Sequence, residues 1–169
     1  MIKFTKKTIV NADTDKVWRI FAHEFNDAYK WMASVNHSFA KNNGESFEGC
    51  QSDGRVCELS SDGKGIKASE QFLAYSEENK TATVRIDFLD APFFFPVKFN
   101  TLDFSLKNVE RGKSEMKWEF RSEIKVFGYL LWPLLRIGFG KFIGEIMGEL
   151  KFYVENDTPH PRKIKAMKK

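Results

Sequence analysis

The chain has 169 residues, of which 42% are hydrophobic and 15% aromatic, with 27 lysines and arginines against 23 aspartates and glutamates. This length suits one domain of ordinary size, and the 17 phenylalanines exclude a disordered or fibrous protein. No uninterrupted apolar run reaches the ~18 to 20 residues of a membrane span, so the composition predicts a soluble, folded protein.

The net charge of +4 is concentrated at the end of the chain. Five basic residues follow the last acidic residue, Asp157: Arg162, Lys163, Lys165, Lys168 and Lys169. Without them, 22 basic residues face 23 acidic ones, which argues against a nucleic-acid partner. The sequence therefore predicts a single domain over residues 1–157 and a basic, disordered tail over residues 158–169.

The start of the chain, MIKFTKKTIV, lacks the apolar core and cleavage site of a secretory signal, which favours a cytoplasmic protein. Cys50 and Cys57 fit no metal-site spacing, and a reducing compartment would keep both as thiols. No GxSxG or HExxH motif occurs. The sequence therefore predicts neither a metal nor a cofactor.

The first third of the chain predicts an edge strand, a helical segment and a loop. Residues 2–10 favour a strand. Apolar residues then recur at helical spacing through about residue 32, as one broken helix or two short ones: Val17, Trp18, Phe21 and Phe25. Residues 36–54 are polar and rich in turn formers, which is typical of a loop or an irregular edge strand.

The middle of the chain predicts antiparallel strands. Residues 55–60 and 66–75 flank SDGK, a hairpin signal. Apolar and polar residues alternate around residues 83–88, 102–106 and 116–125, as in a sheet with one face in water. A long amphipathic helix follows from about Pro133 to Glu155. The predicted fold class is α+β, with the helices on one side of the sheet.

Three glycines of that last helix, Gly140, Gly144 and Gly148, are spaced by four residues. Each costs roughly 1 kcal/mol relative to alanine in a helix interior. Three uses remain open: close packing on the sheet, widening of a cavity, or a groove for a second subunit. The protein is thus expected to be a monomer or a homodimer.

This element order resembles the START and Bet v 1-like (SRPBCC) superfamily, and within it the polyketide cyclase, dehydrase and lipid transport branch. The likeness is carried by VWRIFAHEFNDAYKWMASV at residues 17–35, GRVCELSSDGKGIKASEQFLAYSEENKTATVRI at residues 54–86, and GEIMGELKFYVEN in the last helix. The resemblance implies a helix-grip fold, in which a curved antiparallel sheet wraps around a long C-terminal helix. It also implies an apolar cavity that holds lipids, hormones, polyketides or other hydrophobic molecules.

The predicted hairpin places two charged residues opposite each other. If apolar residues match across the strands, Cys57 faces Ala68 and Arg55 faces Glu70 on the inward side. A charged pair on that side is costly unless each partner is satisfied. Arg55 and Glu70 therefore form either a structural ion pair at the rim or a polar anchor for a ligand.

The leading hypothesis is a protein that binds, and in one version transports, a hydrophobic or lipid-like molecule in an internal cavity. Its polar anchors would be Arg55 and Glu70. The apolar residues expected to line the cavity are Trp18, Phe72, Val84, Ile86, Leu102, Phe104, Met116, Trp118, Phe120, Phe139, Phe142, Ile143 and Met147. The alternative is that these side chains have only a structural role and fill the core.

Two rival functions remain open. A cyclase, aromatase or dehydratase would need a positioned acid and base, for which Glu70 and His37 are the candidates. The apolar runs APFFFPV at residues 91–97 and FGYLLWPLLRIGF at residues 127–139 exceed what a one-sided sheet or helix must bury. They would pack as core or lid residues, or they would form a surface for transient membrane or partner contact.

Overall fold

Seven antiparallel strands form one sheet in a computed structural model that describes residues 1–41 and 47–168. The strands are β1 (Ile2–Val10), β2 (His37–Lys41), β3 (Gly54–Glu58), β4 (Lys67–Ser76), β5 (Thr81–Leu89), β6 (Val97–Glu110) and β7 (Lys113–Ile124). Their order in the sheet is β1-β7-β6-β5-β4-β3-β2, so each strand after β2 pairs with its neighbour in sequence and β7 returns to β1. The sheet is curved.

Strict alternation along the chain explains the long central strands. In β7 every second residue is buried, from Ser114 to Ile124, and the residues between them are half exposed. This period of two is what a sheet with one dry face requires. The hairpin register is also as predicted, with Arg55 opposite Glu70 and Cys57 opposite Ala68.

The segment predicted as a loop or irregular edge strand contains a real strand. Residues His37–Lys41 form β2 and pair with β3 at the edge of the sheet. The rest of that prediction falls partly on residues 42–46, which lie outside the described residues.

A broken helical segment joins β1 to β2, as the apolar spacing predicted. It comprises α1 (Thr14–Trp18), a π-helical turn (Arg19–His23), a 3-10 turn (Phe25–Asp27) and α2 (Ala28–Trp31). Its inward side chains, Trp18, Phe21 and Phe25, are almost fully buried. Because the helical segment changes type three times, these aromatic rings reach the sheet at several angles rather than in one stripe.

The long helix α3 (Trp132–Asn156) follows a 3-10 turn (Val126–Leu131) and has Pro133 in its first turn. It ends at Asp157, whose φ of 54° is left-handed and stops the helix. Among the described residues, one helical stretch, Val126–Asn156, is long and apolar enough by composition to cross a membrane. Its second half, with Leu150 and Val154 fully buried, is the core helix of the domain.

Most of the basic tail forms a helix, which the sequence prediction of a disordered tail did not include. Residues Pro161–Met167 form a short helix, α4. Lys163 is only 2% exposed, and its Nζ donates a hydrogen bond of 2.6 Å to the carbonyl oxygen of Val35. Arg162 forms ion pairs with Glu145 and Glu149 of α3. These contacts with distant residues fix α4, and a composition-based prediction of disorder could not include them.

Gly140, Gly144 and Gly148 of α3 do not line the cavity between α3 and the sheet. A Cβ added at Gly140 or Gly148 would meet no atom within 4 Å, and one at Gly144 would meet only the flexible end of Lys6. Neither close packing on the sheet nor widening of the cavity therefore accounts for Gly140 and Gly148.

Candidate functional site

A cavity of about 180 Å³ lies between the sheet, the broken helical segment and α3. Every strand from β3 to β7 contributes to its wall, because the inward positions of these strands all face α3. The wall is almost entirely apolar. An apolar space of this size, left inside an otherwise tightly packed domain, is unusual and is typical of a ligand site.

Ten of the residues named from the sequence lie on the cavity wall. They are Arg55, Glu70, Val84, Ile86, Leu102, Trp118, Phe120, Phe139, Phe142 and Ile143. The alternation of β5, β6 and β7 and the apolar arc of α3 identified eight of these positions, and the register of the predicted hairpin identified Arg55 and Glu70.

The other five residues expected on the wall lie in the filled core instead. They are Trp18, Phe72, Phe104, Met116 and Met147. The cause is aromatic packing at one end of the interior, where the ring of Phe21 stacks on Phe104 with centroids 3.7 Å apart. Trp18 packs against the same ring at 6.0 Å. These five side chains therefore fill the core, as the alternative in the sequence analysis expected, and they do not line the cavity.

Sequence reasoning missed the other residues of the cavity wall, several of which lie in the helical segment between β1 and β2 or shortly after it. The missed residues are Phe21, Phe25, Trp31, Met32, Ser34, Val35, Leu59, Phe88, Phe95, Asn100 and Ile146. The helical spacing of Phe21 and Phe25 identified an inward face, but the spacing does not say whether that face meets another side chain or a void.

Arg55 and Glu70 form a buried ion pair in the cavity wall. Arg55 Nε and Nη2 donate to the same carboxylate oxygen, Glu70 Oε2, at 2.9 and 2.6 Å. Arg55 Nη1 donates to the carbonyl oxygen of Phe25, and the guanidinium lies over the Phe25 ring, 4.0 Å from its centroid. The second carboxylate oxygen, Glu70 Oε1, has a long contact of 3.9 Å with the Cys57 thiol. That oxygen keeps the capacity to accept a hydrogen bond from a ligand.

The electrostatics of this pair favour full ionisation of the guanidinium. Burial lowers the pKa of Arg55, but the adjacent Glu70 carboxylate outweighs burial and the net shift is upward. Burial also raises the pKa of Cys57 to about 12, so this thiol is not a nucleophile at neutral pH.

Three polar atoms at the cavity are buried without a hydrogen-bond partner among the described residues: Asn100 Oδ1, Trp118 Nε1 and Ser34 Oγ. A buried polar atom left without a partner costs roughly 1 to 3 kcal/mol. Three residues of the wall therefore carry unused hydrogen-bonding capacity, although the surface that faces the cavity is almost entirely apolar.

His37, the second catalytic candidate, lies elsewhere. It is exposed on β2, opposite Glu58, with its ring 5.8 Å from that of Tyr29. Among the described residues that line the cavity, Arg55 and Glu70 are the ionisable ones. The structure therefore does not bring Glu70 and His37 together as an acid and a base on this wall, and no group of metal-binding side chains occurs in the described part of the chain.

A second polar cluster closes the filled end of the interior. Glu77 accepts hydrogen bonds from Trp18 Nε1 at 2.6 Å and from the Tyr75 hydroxyl at 2.6 Å. It also contacts His23 Nε2 at 2.9 Å and Lys80 Nζ at 2.8 Å. Burial alone would raise the pKa of Glu77, but these four hydrogen bonds hold it well below its usual range. The cluster fixes the Trp18 indole away from the cavity, which explains why Trp18 belongs to the core.

Solved structures of the same fold come from bacteria and plants. A START superfamily protein from Mycobacterium smegmatis has a TM-score of 0.70 at 12% identity, over 92% of this chain and 99% of that one. The protein XoxI from Bacillus cereus has a TM-score of 0.64 at 16% identity, over 93% and 95% of the two chains. The ginseng major latex-like protein 151 from Panax ginseng has a TM-score of 0.59 at 16% identity, over 89% and 95%. These likenesses show a helix-grip fold of the START and Bet v 1-like type, as the sequence predicted.

No curated protein matches the chain in sequence. A family model does, and it is described as polyketide cyclase / dehydrase and lipid transport. The match covers residues 1–155, which is the whole sheet and nearly all of α3. The chain therefore belongs to the polyketide cyclase / dehydrase and lipid transport family.

Proposed function

We propose that the protein binds a small, neutral, mainly apolar molecule that carries a hydroxyl or carbonyl group. The observation that supports this most strongly is the combination of an apolar cavity of about 180 Å³ with buried, unpartnered polar atoms on its wall. Membership of a family that includes lipid transport is consistent with such a ligand.

The size of the cavity limits the ligand. A dry apolar cavity of about 150 Å³ is enough to hold one benzene molecule. The cavity here is slightly larger, at about 180 Å³, so it accepts about one ring with a substituent before any wall residue moves. Phe142 lines the cavity and is 42% exposed, so its side chain can rotate outward and admit a longer molecule, such as the two fused rings of naphthalene. Burial of apolar surface, worth roughly 25 cal/mol per Å², would supply most of the affinity.

The wall chemistry favours a neutral ligand. The charges of Arg55 and Glu70 already match each other, so neither is left to attract an ion. A carboxylate or ammonium group would lose its hydration without gaining an opposite charge. A ligand hydroxyl, by contrast, can donate to Asn100 Oδ1 or accept from Trp118 Nε1, and a ligand carbonyl can accept from Trp118 Nε1. The same pairing of Arg55 with Glu70 leaves no free general base among the described residues of the wall, which supports binding rather than acid-base catalysis.

The test is a titration with three ring compounds of one size, followed by tryptophan fluorescence, because Trp31 and Trp118 line the cavity. We expect 1-naphthol to bind more tightly than naphthalene, and naphthalene more tightly than 1-naphthoate. Ile86→Phe should fill the cavity and weaken all binding, whereas Leu73→Phe, at a position 57% exposed and outside the cavity, should not. Circular dichroism checks that both variants fold. Binding that Ile86→Phe leaves unchanged, or a preference for 1-naphthoate, would contradict the proposal.

A further inference from the structure

Large apolar side chains are exposed at one end of the molecule. We call this the apolar end surface, and it comprises Phe93, Phe94, Val126, Leu130, Leu134 and Ile137. Phe93 is 90% exposed and Leu130 is 88% exposed, which are the values of side chains with almost no protein contact. In the most apolar window of the stretch Val126–Asn156, only 11% of the residues are buried. Contiguous exposed apolar side chains of this kind mark an interaction site in a folded protein.

The two segments that supply these residues form one surface. The Phe93 ring stacks with Phe127 at a centroid distance of 6.5 Å. Lys125 Nζ donates to the carbonyl oxygen of Phe93 at 3.3 Å, and the Lys125 main-chain N–H donates to that of Pro96 at 2.8 Å. A Cβ at Gly128 would lie 3.0 Å from the same Pro96 oxygen, so the 3-10 turn sits tightly on the β5–β6 loop. The exposed side chains are therefore presented by a fixed backbone.

The charged residues within the two segments that form the apolar end surface all have one sign. Residues 91–98 and 124–142 contain four basic residues, Lys98, Lys125, Arg136 and Lys141, and no aspartate or glutamate. Outside the ordered tail, the rest of the domain carries more acidic than basic residues. The two segments therefore carry a net positive charge, whereas the rest of the domain carries a net negative charge.

We propose that the apolar end surface docks onto anionic lipid membranes, with the exposed phenylalanines and leucines among the acyl chains and the four basic side chains at the lipid headgroups. Apolar side chains ringed by lysine and arginine fit this environment, because anionic lipids attract the charges while the acyl chains accept the apolar groups. This proposal does not depend on the cavity ligand.

Charge distinguishes the membrane from a second copy of the chain. A symmetric dimer through this surface would place its basic residues against the same residues of the partner, which is unfavourable.

The burial of the second half of α3 distinguishes docking on the membrane from crossing the bilayer. The second half of α3 carries Glu149 and the fully buried Leu150 and Val154 in the domain core, so it cannot enter lipid without unfolding the domain.

The surface also adjoins the cavity. Phe95 lies in the loop between the exposed phenylalanines and β6, and it lines the cavity with Phe88, to whose ring it packs at 4.9 Å. Phe142 lines the cavity from α3, five residues beyond Ile137. A docked protein would therefore hold this end of its cavity next to the lipid.

Vesicle flotation tests the proposal with the full chain. Vesicles of phosphatidylcholine alone are compared with vesicles that also contain phosphatidylglycerol, at low and high salt. We expect binding to the anionic vesicles, weaker binding at high salt and little binding to phosphatidylcholine. The double variant Phe93→Ser/Leu130→Ser should lower the affinity by about tenfold per residue. The matched control Leu73→Ser/Val109→Ser removes two apolar residues, each 57% exposed, outside this surface and should bind as the parent does.

The contribution of the basic residues is tested with Arg136→Glu/Lys141→Glu. The control, Lys64→Glu/Lys107→Glu, makes the same change in charge at exposed positions outside the apolar end surface. Loss of binding in the first pair only supports the proposal. Equal loss in both pairs would show a general charge effect and overturn it, as would the absence of binding to anionic vesicles. Light scattering without vesicles gives the other decisive outcome: a dimer that Phe93→Ser/Leu130→Ser converts to a monomer would assign the surface to a second copy of the chain.

Discussion

Arg55 and Glu70 carry opposite charges in a place where neither reaches water, with side-chain exposures of 5% and 10%. Removing one partner of such a pair leaves the other charge buried and unpaired. We expect Glu70→Gln to lower the free energy of unfolding by about 3 to 5 kcal/mol, and Arg55→Met/Glu70→Met to lower it far less. Urea denaturation measures both.

A solvent-exposed pair provides the control for Glu70→Gln. Lys7 and Glu115 lie 3.1 Å apart with side-chain exposures of 53% and 28%, so Glu115→Gln should cost less than about 1 kcal/mol. If Glu70→Gln lowered the free energy of unfolding no more than Glu115→Gln does, the Arg55 charge would have to reach solvent. Arg55 and Glu70 would then not form a buried pair.

The pairing of Arg55 with Glu70 followed from the hairpin register, because a turn signal and matching apolar residues lie within twenty residues of each other. Asn100 was also within reach of sequence reasoning, since it continues the inward alternation of Leu102 and Phe104 in β6. That its Oδ1 lacks a partner depends instead on side chains from distant elements. No local pattern contains this information.

At the scale of the element, α3 divides into a first half that faces outward and a second half that holds the core. Gly140 and Gly148 lie in neither a crowded nor a strained position, since an added Cβ meets nothing within 4 Å. Glycine costs roughly 1 kcal/mol relative to alanine inside a helix. We therefore expect Gly140→Ala and Gly148→Ala each to raise the free energy of unfolding by about 0.5 to 1 kcal/mol.

Chemical denaturation of the two variants tests this, with Gly128→Ala as the contrasting change. At Gly128 the new methyl would lie 3.0 Å from the Pro96 oxygen and 3.1 Å from its Cβ, so that variant should lose stability. Destabilisation by Gly140→Ala or Gly148→Ala would show that these positions contact something beyond the single chain, as in a helix–helix groove between subunits.

For the whole molecule, the element order was predictable because each element has its own period: two residues in the strands and 3.6 in the helices. The division of the interior into a filled end and an empty end was not. It depends on whether Phe21, Trp18 and Phe104 meet one another, and a sequence pattern specifies only that all three point inward. The docking of α4 is of the same kind, because Lys163 is held by the carbonyl oxygen of Val35, 128 residues earlier.

A binding cavity also has a cost for the stability of the whole domain, and Asn100 makes that cost measurable. Its amide is 4% exposed, and its Oδ1 has no partner among the described residues. Asn100→Leu replaces this amide with an apolar side chain of similar size, so it should raise the free energy of unfolding by about 1 kcal/mol. The same change removes a hydrogen-bond partner for the ligand. We therefore expect weaker binding of 1-naphthol and unchanged binding of naphthalene.

Asn108→Leu makes the same substitution at an exposed position of β6 and should change neither the free energy of unfolding nor the affinity for 1-naphthol. Asn100→Leu could instead lower the free energy of unfolding and leave the preference for 1-naphthol intact. That result would show that the Asn100 amide stabilises the fold and does not bind the ligand.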